Sequence, residues 1–172
     1  SLMGTLEAAK VGGSRPKVQA YFDQAIAQAA NQNLTDEASY GKAECLSQLK
    51  DFEAAIQIYK PLLIGKHSSD FLQRNRIGIA YAYFSVKEFT NANTYFKTYV
   101  DQLKANPTGK ANANALLRLA DTYLVAKNYI EALTYYNQAI ENIKTEKDYA
   151  LYQKGKYEQA VTAYESVLKT KE

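Results

Sequence analysis

"LLRLADTYLVAKNYIEALTYYNQAI", residues 116–140, decides the fold, because apolar residues recur in it at helical spacing twice, with one interruption. Leu116, Leu119, Ala120 and Tyr123 fall at i, i+3, i+4 and i+7, one face of an α-helix. Lys127-Asn128 breaks the pattern. Asn128 suits an N-cap, since its side-chain oxygen can accept from an amide that the next helix leaves unpaired. A second face then runs through Tyr129, Ala132, Leu133, Tyr136, Ala139 and Ile140. Each predicted helix has about three turns, too few to persist alone in water. The two must therefore pack together. Ala120 and Ala132 let the axes approach, while Tyr123 and Tyr136 fill the space beside them.

The same hairpin recurs along the chain. Nine residues separate Tyr123 from Ala132, Tyr83 from Ala92, and Leu46 from Ala55. An aromatic residue follows each hinge: Phe52, Phe89 and Tyr129. Near the C-terminal end "GKYEQAVTAYESVL" supplies Ala160 and Tyr164 as a further second helix. Near the N-terminal end "PKVQAYFDQAIAQAA" offers Val18, Phe22 and Ala25 in equivalent places.

With these residues in place, the chain resembles the tetratricopeptide repeat family, whose pattern is W-x2-L-G-x2-Y…A-x3-F in about 34 residues. Leu116-x2-Leu119-Ala120-x2-Tyr123…Ala132-x3-Tyr136 matches it best, and Arg76-x2-Ile79-Ala80-x2-Tyr83…Ala92-x3-Phe96 follows. Alanine stands where the family's first helix usually has glycine. The period is also irregular, with second-helix alanines 55, 92, 132 and 160 lying 37, 40 and 28 residues apart. The resemblance implies an all-α, right-handed α-α superhelix of about nine or ten antiparallel helices without β-strand. It implies one domain over 1–172, with repeats near 1–32, 36–66, 70–104, 112–142 and 146–170. Long, irregular repeats resemble bacterial envelope members of the family, which places the periplasm ahead of the cytoplasm by analogy.

Composition narrows the function classes. With 172 residues, 47% of them hydrophobic, the chain can bury a continuous core. Its net charge of +3, from 21 basic and 18 acidic residues, is too balanced to point to nucleic acid. No apolar run reaches the roughly 20 residues of a membrane span, so no membrane insertion is expected. The start, "SLMGTLEAAKVGG", lacks the charged-then-apolar order of a signal peptide. The single cysteine, Cys45, excludes an internal disulfide and reads as a small buried hydrophobe rather than a nucleophile. His67, the one histidine, reads as an exposed loop residue without partners for a zinc site or a triad. "VGGS" at 11–14 is too short for a phosphate cradle, and Asn33-Leu34-Thr35 is a bare glycosylation sequon. The 15 tyrosines read as wedges between helices, since base-stacking platforms usually accompany a basic stripe. No catalytic group, cofactor or metal is expected.

What remains is the surface that stacked hairpins create. In the resembled family the first helix of each pair lines the concave side. Turned away from the packing face here are Tyr40, Glu44 and Gln48, then Arg74, Ile77, Tyr81 and Ser85, then Asn114, Leu117, Arg118, Asp121 and Val125. Such a mixed lining suits an extended peptide or a helix of a partner protein. Arg74, Arg118 and Asn114 only remotely resemble the clamp with which some family members grip a C-terminal carboxylate, and the lysines are missing. The plainer reading pairs Arg118 with Asp121 on a solvated face. Three functions follow as expectations: a scaffold or adaptor, an assembly module self-associating through its terminal repeats, and a carbohydrate- or ligand-capturing accessory protein.

The stretch "KTEKDYALYQKGKYEQAV", 144–161, fits the repeat poorly. Gly155 would be the small residue of a first helix, yet Tyr157, two residues on, already resembles the post-hinge aromatic. About seven residues, two helical turns, are lacking. Either the fourth repeat is shortened or a segment is missing between Gly155 and Lys156. The second is expected, because a deletion would leave Val161, Tyr164 and Leu168 without a packing partner.

Overall fold

The computed structural model describes residues 15–105 and 111–145, together with 161, 162 and 165. Seven helices occupy them: α1 Arg15–Ala27, α2 Gln32–Gln48, α3 Phe52–Leu62, α4 Ser69–Ser85, α5 Phe89–Lys104, α6 Ala113–Val125 and α7 Tyr129–Thr145. Among the described residues there is no strand, as the all-α expectation requires. The further helix expected at the N-terminal end and the junction at Gly155–Lys156 lie outside the described residues. Of the further C-terminal helix only 161, 162 and 165 are described, all helical, with Val161 buried.

Short polar residues start the helices. Asn31, Asp51, Ser68, Asn112 and Asn128 each accept a hydrogen bond from an amide of the following first turn, which satisfies a donor the helix cannot. The hairpin hinges stop the helices in one common way. Lys50, Lys87 and Lys127 have φ of 63°, 64° and 61°. At each, the lysine amide bonds the carbonyl three residues back, and the following amide reaches the carbonyl five back, as in Lys127 N to Leu124 O and Asn128 N to Tyr123 O. These are Schellman motifs, with lysine where glycine is usual. A left-handed L-residue costs about 1–2 kcal/mol, and glycine's greater backbone freedom returns about 0.5–1 kcal/mol of that. Changing all three lysines to glycine should therefore stabilise the protein by about 2 kcal/mol and raise Tm by several degrees. An unchanged or lower Tm in a thermal melt would mean that the lysine stems hold the turns by packing.

The chain forms two compact units, Ser1–Glu88 and Phe89–Glu172. In the first, α1 packs on α2, α2 on α3 and α3 on α4, with a lighter contact between α2 and α4. Ala43, Leu46, Ala55 and Tyr59 are buried at the α2–α3 crossing positions, and Ile79, Ala80 and Tyr83 are buried on α4. Val18 and Phe22 of α1 close over Cys45, with Leu49 packed against them. Cys45 is thus a small core hydrophobe, and burial pushes its thiol up from the ordinary value. In the second unit α6 packs on α5 and α7. Leu116, Leu119, Ala120, Ala132, Tyr136 and Ala139 are buried, while the half-buried Tyr123 stacks parallel on Tyr135 at 5.6 Å. The alanines expected at helix crossings are inside in both units.

Candidate partner-binding face

In the first unit, the first helices of two successive hairpins present one continuous polar-aromatic face. Arg74 on α4 organises it. Its two Nη groups donate to the two carboxylate oxygens of Glu37 on α2 at 2.7 and 3.1 Å, and its Nε donates to Asp70 at 3.0 Å. The guanidinium lies 4.8 Å over the Tyr40 ring and 5.4 Å from Phe71. A forked donor matched to a fork of acceptors holds the planar group in one orientation. Burial, and then the Glu44 charge, push Tyr40 up to about 12.

The other expected face residues of this unit separate into engaged and presented. Glu44 accepts a hydrogen bond from the buried Tyr59 hydroxyl, so it belongs to the α2–α3 crossing as well as to the face. Gln48 and Ser85 are exposed, and Ser85 donates to the Tyr81 carbonyl at 2.8 Å. Ile77 and Tyr81 are half-buried beside them.

In the second unit, Arg118 pairs with Asp121 at 2.8 Å, as the plainer reading expects. Asp121 also accepts from the buried Tyr136 hydroxyl. Leu117 packs against Ala113, as does Ile140 of α7, so part of it serves the hairpin's own core. Asn114 is half-buried, its amide bonded to the Asn112 cap at 2.8 Å. Val125 is 55% exposed.

Sequence reading missed Glu37 and Asp70 on the face, and missed that the hydroxyls of the packing residues Tyr59 and Tyr136 reach its acids from beneath. Two spacings carry the signal. Glu44 to Tyr59 and Asp121 to Tyr136 are both 15 residues, and Glu37 to Arg74 is 37, the same interval as from Ala55 to Ala92. One reading needs correction. His67 is not an exposed loop residue: its side chain is 15% exposed, Nε2–H donates to the Ile64 carbonyl at 3.0 Å, and Nδ1 lies 3.6 Å from the Asp36 carboxylate. The ring also sits 4.9 Å from Phe71, so the histidine fastens the α3–α4 loop to α2. Among the described residues no group of three or more His, Cys, Asp or Glu is placed to hold a metal. No described helix is long and apolar enough to cross a membrane.

The repeated hairpin has an external counterpart. The tetratricopeptide repeat model matches residues 19–68 and 77–146, most of the chain. The chain belongs to the tetratricopeptide repeat family. Repeats of this family are generally protein–protein interaction modules and generally non-catalytic. No curated protein sequence matches this tetratricopeptide protein. Among solved structures it is similar to the crystal structure of BtubC (BKLC) from P. vanneervenii, at TM-score 0.60 and 16% identity. The match covers 78% of the present chain and 59% of BtubC. At that identity the likeness concerns the fold. Of the terminal repeats, where self-association is expected, 1–32 is described from residue 15 onward, and 146–170 only at 161, 162 and 165.

Proposed function

We propose that this tetratricopeptide protein is a non-catalytic adaptor that takes a peptide or short helix of a partner protein on the first-helix faces of its hairpins. The observation that carries the reading is the Tyr40–Arg74 pair, locked by Glu37 and Asp70 before any partner arrives. Tyrosine and arginine are the side chains that most often dominate interface energetics. Fixing them in advance removes part of the ordering cost of association. Gln48, Ile77 and Tyr81 extend the face along α2 and α4. In the second unit Asn114, Leu117, Arg118, Asp121 and Val125 provide the corresponding lining.

The test is partner capture by the double variant Tyr81→Ala with Arg118→Ala, with Tm measured alongside. Capture should be abolished while Tm holds, because Asp121 keeps its bond from Tyr136. Retained capture would move the binding surface to the second helices or the loops.

A further inference from the structure

The second unit carries a pocket of about 530 Å³ between the first turns of α5, the last turns of α6 and the hinge before α7. That volume lies within the roughly 300–1,000 Å³ of small-molecule sites. None of its nine lining residues is charged. Apolar surface comes from Phe89, Tyr123 and Val125, and hydrogen-bonding groups from Thr90, Asn93 and Asn128.

The internal bonds define what those polar groups offer. Thr122, 2% exposed, donates its hydroxyl to the Leu119 carbonyl at 2.6 Å. Its oxygen can then only accept from Asn93, so the Asn93 Nδ2 donates to it at 2.9 Å and Asn93 Oδ1 is left as an acceptor. Asn128 Oδ1 accepts from the Glu131 amide, which leaves its Nδ2 as a donor. The Thr90 hydroxyl can do either. Among the described residues no group bonds Asn93 Oδ1, Asn128 Nδ2 or the Thr90 hydroxyl.

The chain's own repeat shows that the fold does not require this polar pair. Thirty-seven residues before Asn93 stands Ile56, and forty before Thr122 stands Ala82, matching the offsets between the hairpins. Both are buried hydrophobes, 4% and 1% exposed. Apolar packing therefore serves the same register in the first unit. The two bonds satisfy the buried threonine hydroxyl, so the pair is tolerated, and what it adds over apolar packing is a fixed orientation of the Asn93 amide.

We propose that this pocket binds an uncharged saccharide residue. A sugar has hydroxyls that both donate and accept, matching the Asn93 acceptor, the Asn128 donor and the Thr90 hydroxyl. It also has apolar C–H faces to lie against Phe89, Tyr123 and Val125. With no charged lining side chain, nothing in the pocket favours a phosphate, carboxylate or ammonium group. The site shares only Val125 with the first-helix faces, and Thr90, Asn93 and Thr122 lie off those faces, so either reading can fail without the other.

The test is saturation-transfer NMR on the full chain with maltotriose, cellotriose and N,N′-diacetylchitobiose, and with sialyllactose as the charged comparator. At least one neutral probe should receive saturation, and sialyllactose should do no better than that probe. The double variant Asn93→Ile with Thr122→Ala installs the residues of the other repeat. It should keep its Tm and weaken binding about tenfold, the worth of one lost hydrogen bond or slightly more. If that variant does not fold, Thr90→Val at the exposed start of α5 should give a comparable loss. Absence of transfer to every neutral probe, a preference for the charged one, or full binding by a folded variant would overturn the proposal.

Discussion

Gly78→Ala is expected to destabilise the protein by about 2 kcal/mol, lowering Tm by roughly 5 °C for a chain of this size. A Cβ built at Gly78 would stand 2.7 to 2.9 Å from two ring carbons and the hydroxyl oxygen of Tyr59. The ring cannot give way easily. Tyr59 is 0% exposed, its hydroxyl is held by Glu44, and the Tyr40 ring lies 6.3 Å away. Overpacking costs about 1–3 kcal/mol, and three contacts under 3.0 Å against a held ring place this site at the upper end. Alanine returns about 1 kcal/mol of helix propensity over glycine, which leaves about 2 kcal/mol. The sign is therefore diagnostic. If Gly78 were only a weak helix former, alanine would stabilise α4 and Tm would rise. A higher Tm in a thermal melt of G78A would remove the close approach of α3 and α4 from this account.

Gly78 also marks the limit of what the sequence makes legible. Periodicity identifies the helix faces, because a residue's neighbours at i+3 and i+4 are fixed by the helix itself. Hence Ala80, Ala92, Ala120 and Ala132 are read as buried, and are. The hinge at Lys127-Asn128 is legible for the same reason, since caps and turns are local chemistry. Gly78 lies two residues from Ala80, off the repeat pattern, and its importance comes from a tyrosine 19 residues earlier on another helix. The face shows the same division. Tyr40 and Arg74 can be assigned to it from helical phase, but Arg74's bidentate partner depends on where two helices cross. The placement of His67 in a loop is correct. Its burial comes from Asp36 and Phe71, which helical phase in the loop's own sequence cannot register.

Alkaline conditions should unfold the protein over the interval from about pH 10 to about pH 12, where its buried tyrosines resist ionisation. Burial first, and the Glu44 charge second, push Tyr40 up from 10.0 to about 12. Burial followed by Glu44 pushes Tyr59 up as well, and burial does the same to Tyr99 and Tyr135. Lys97 shifts upward too, chiefly through its bond to Asp101. The unfolded chain releases tyrosine protons near pH 10, whereas the folded chain retains them to higher pH. Above pH 10 the folded state therefore binds more protons than the unfolded state, and stability falls as pH rises. The stabilisation is complete below pH 10 and is lost progressively through about pH 12. Tyr59→Phe separates this linkage from general charge repulsion. At neutral pH it should cost about 1 kcal/mol, because Glu44 loses its donor. Near pH 11 the variant should lose less stability per pH unit than the wild type, since its most strongly held phenol is gone. The ring itself fits without a hydroxyl: Phe96, 0% exposed, holds the equivalent register of the next hairpin. Helix signal and tyrosinate absorbance should then change together in the wild type and separate in the variant. A helix signal that stays flat through pH 12 while the tyrosines titrate would show that their hydroxyls reach water without unfolding.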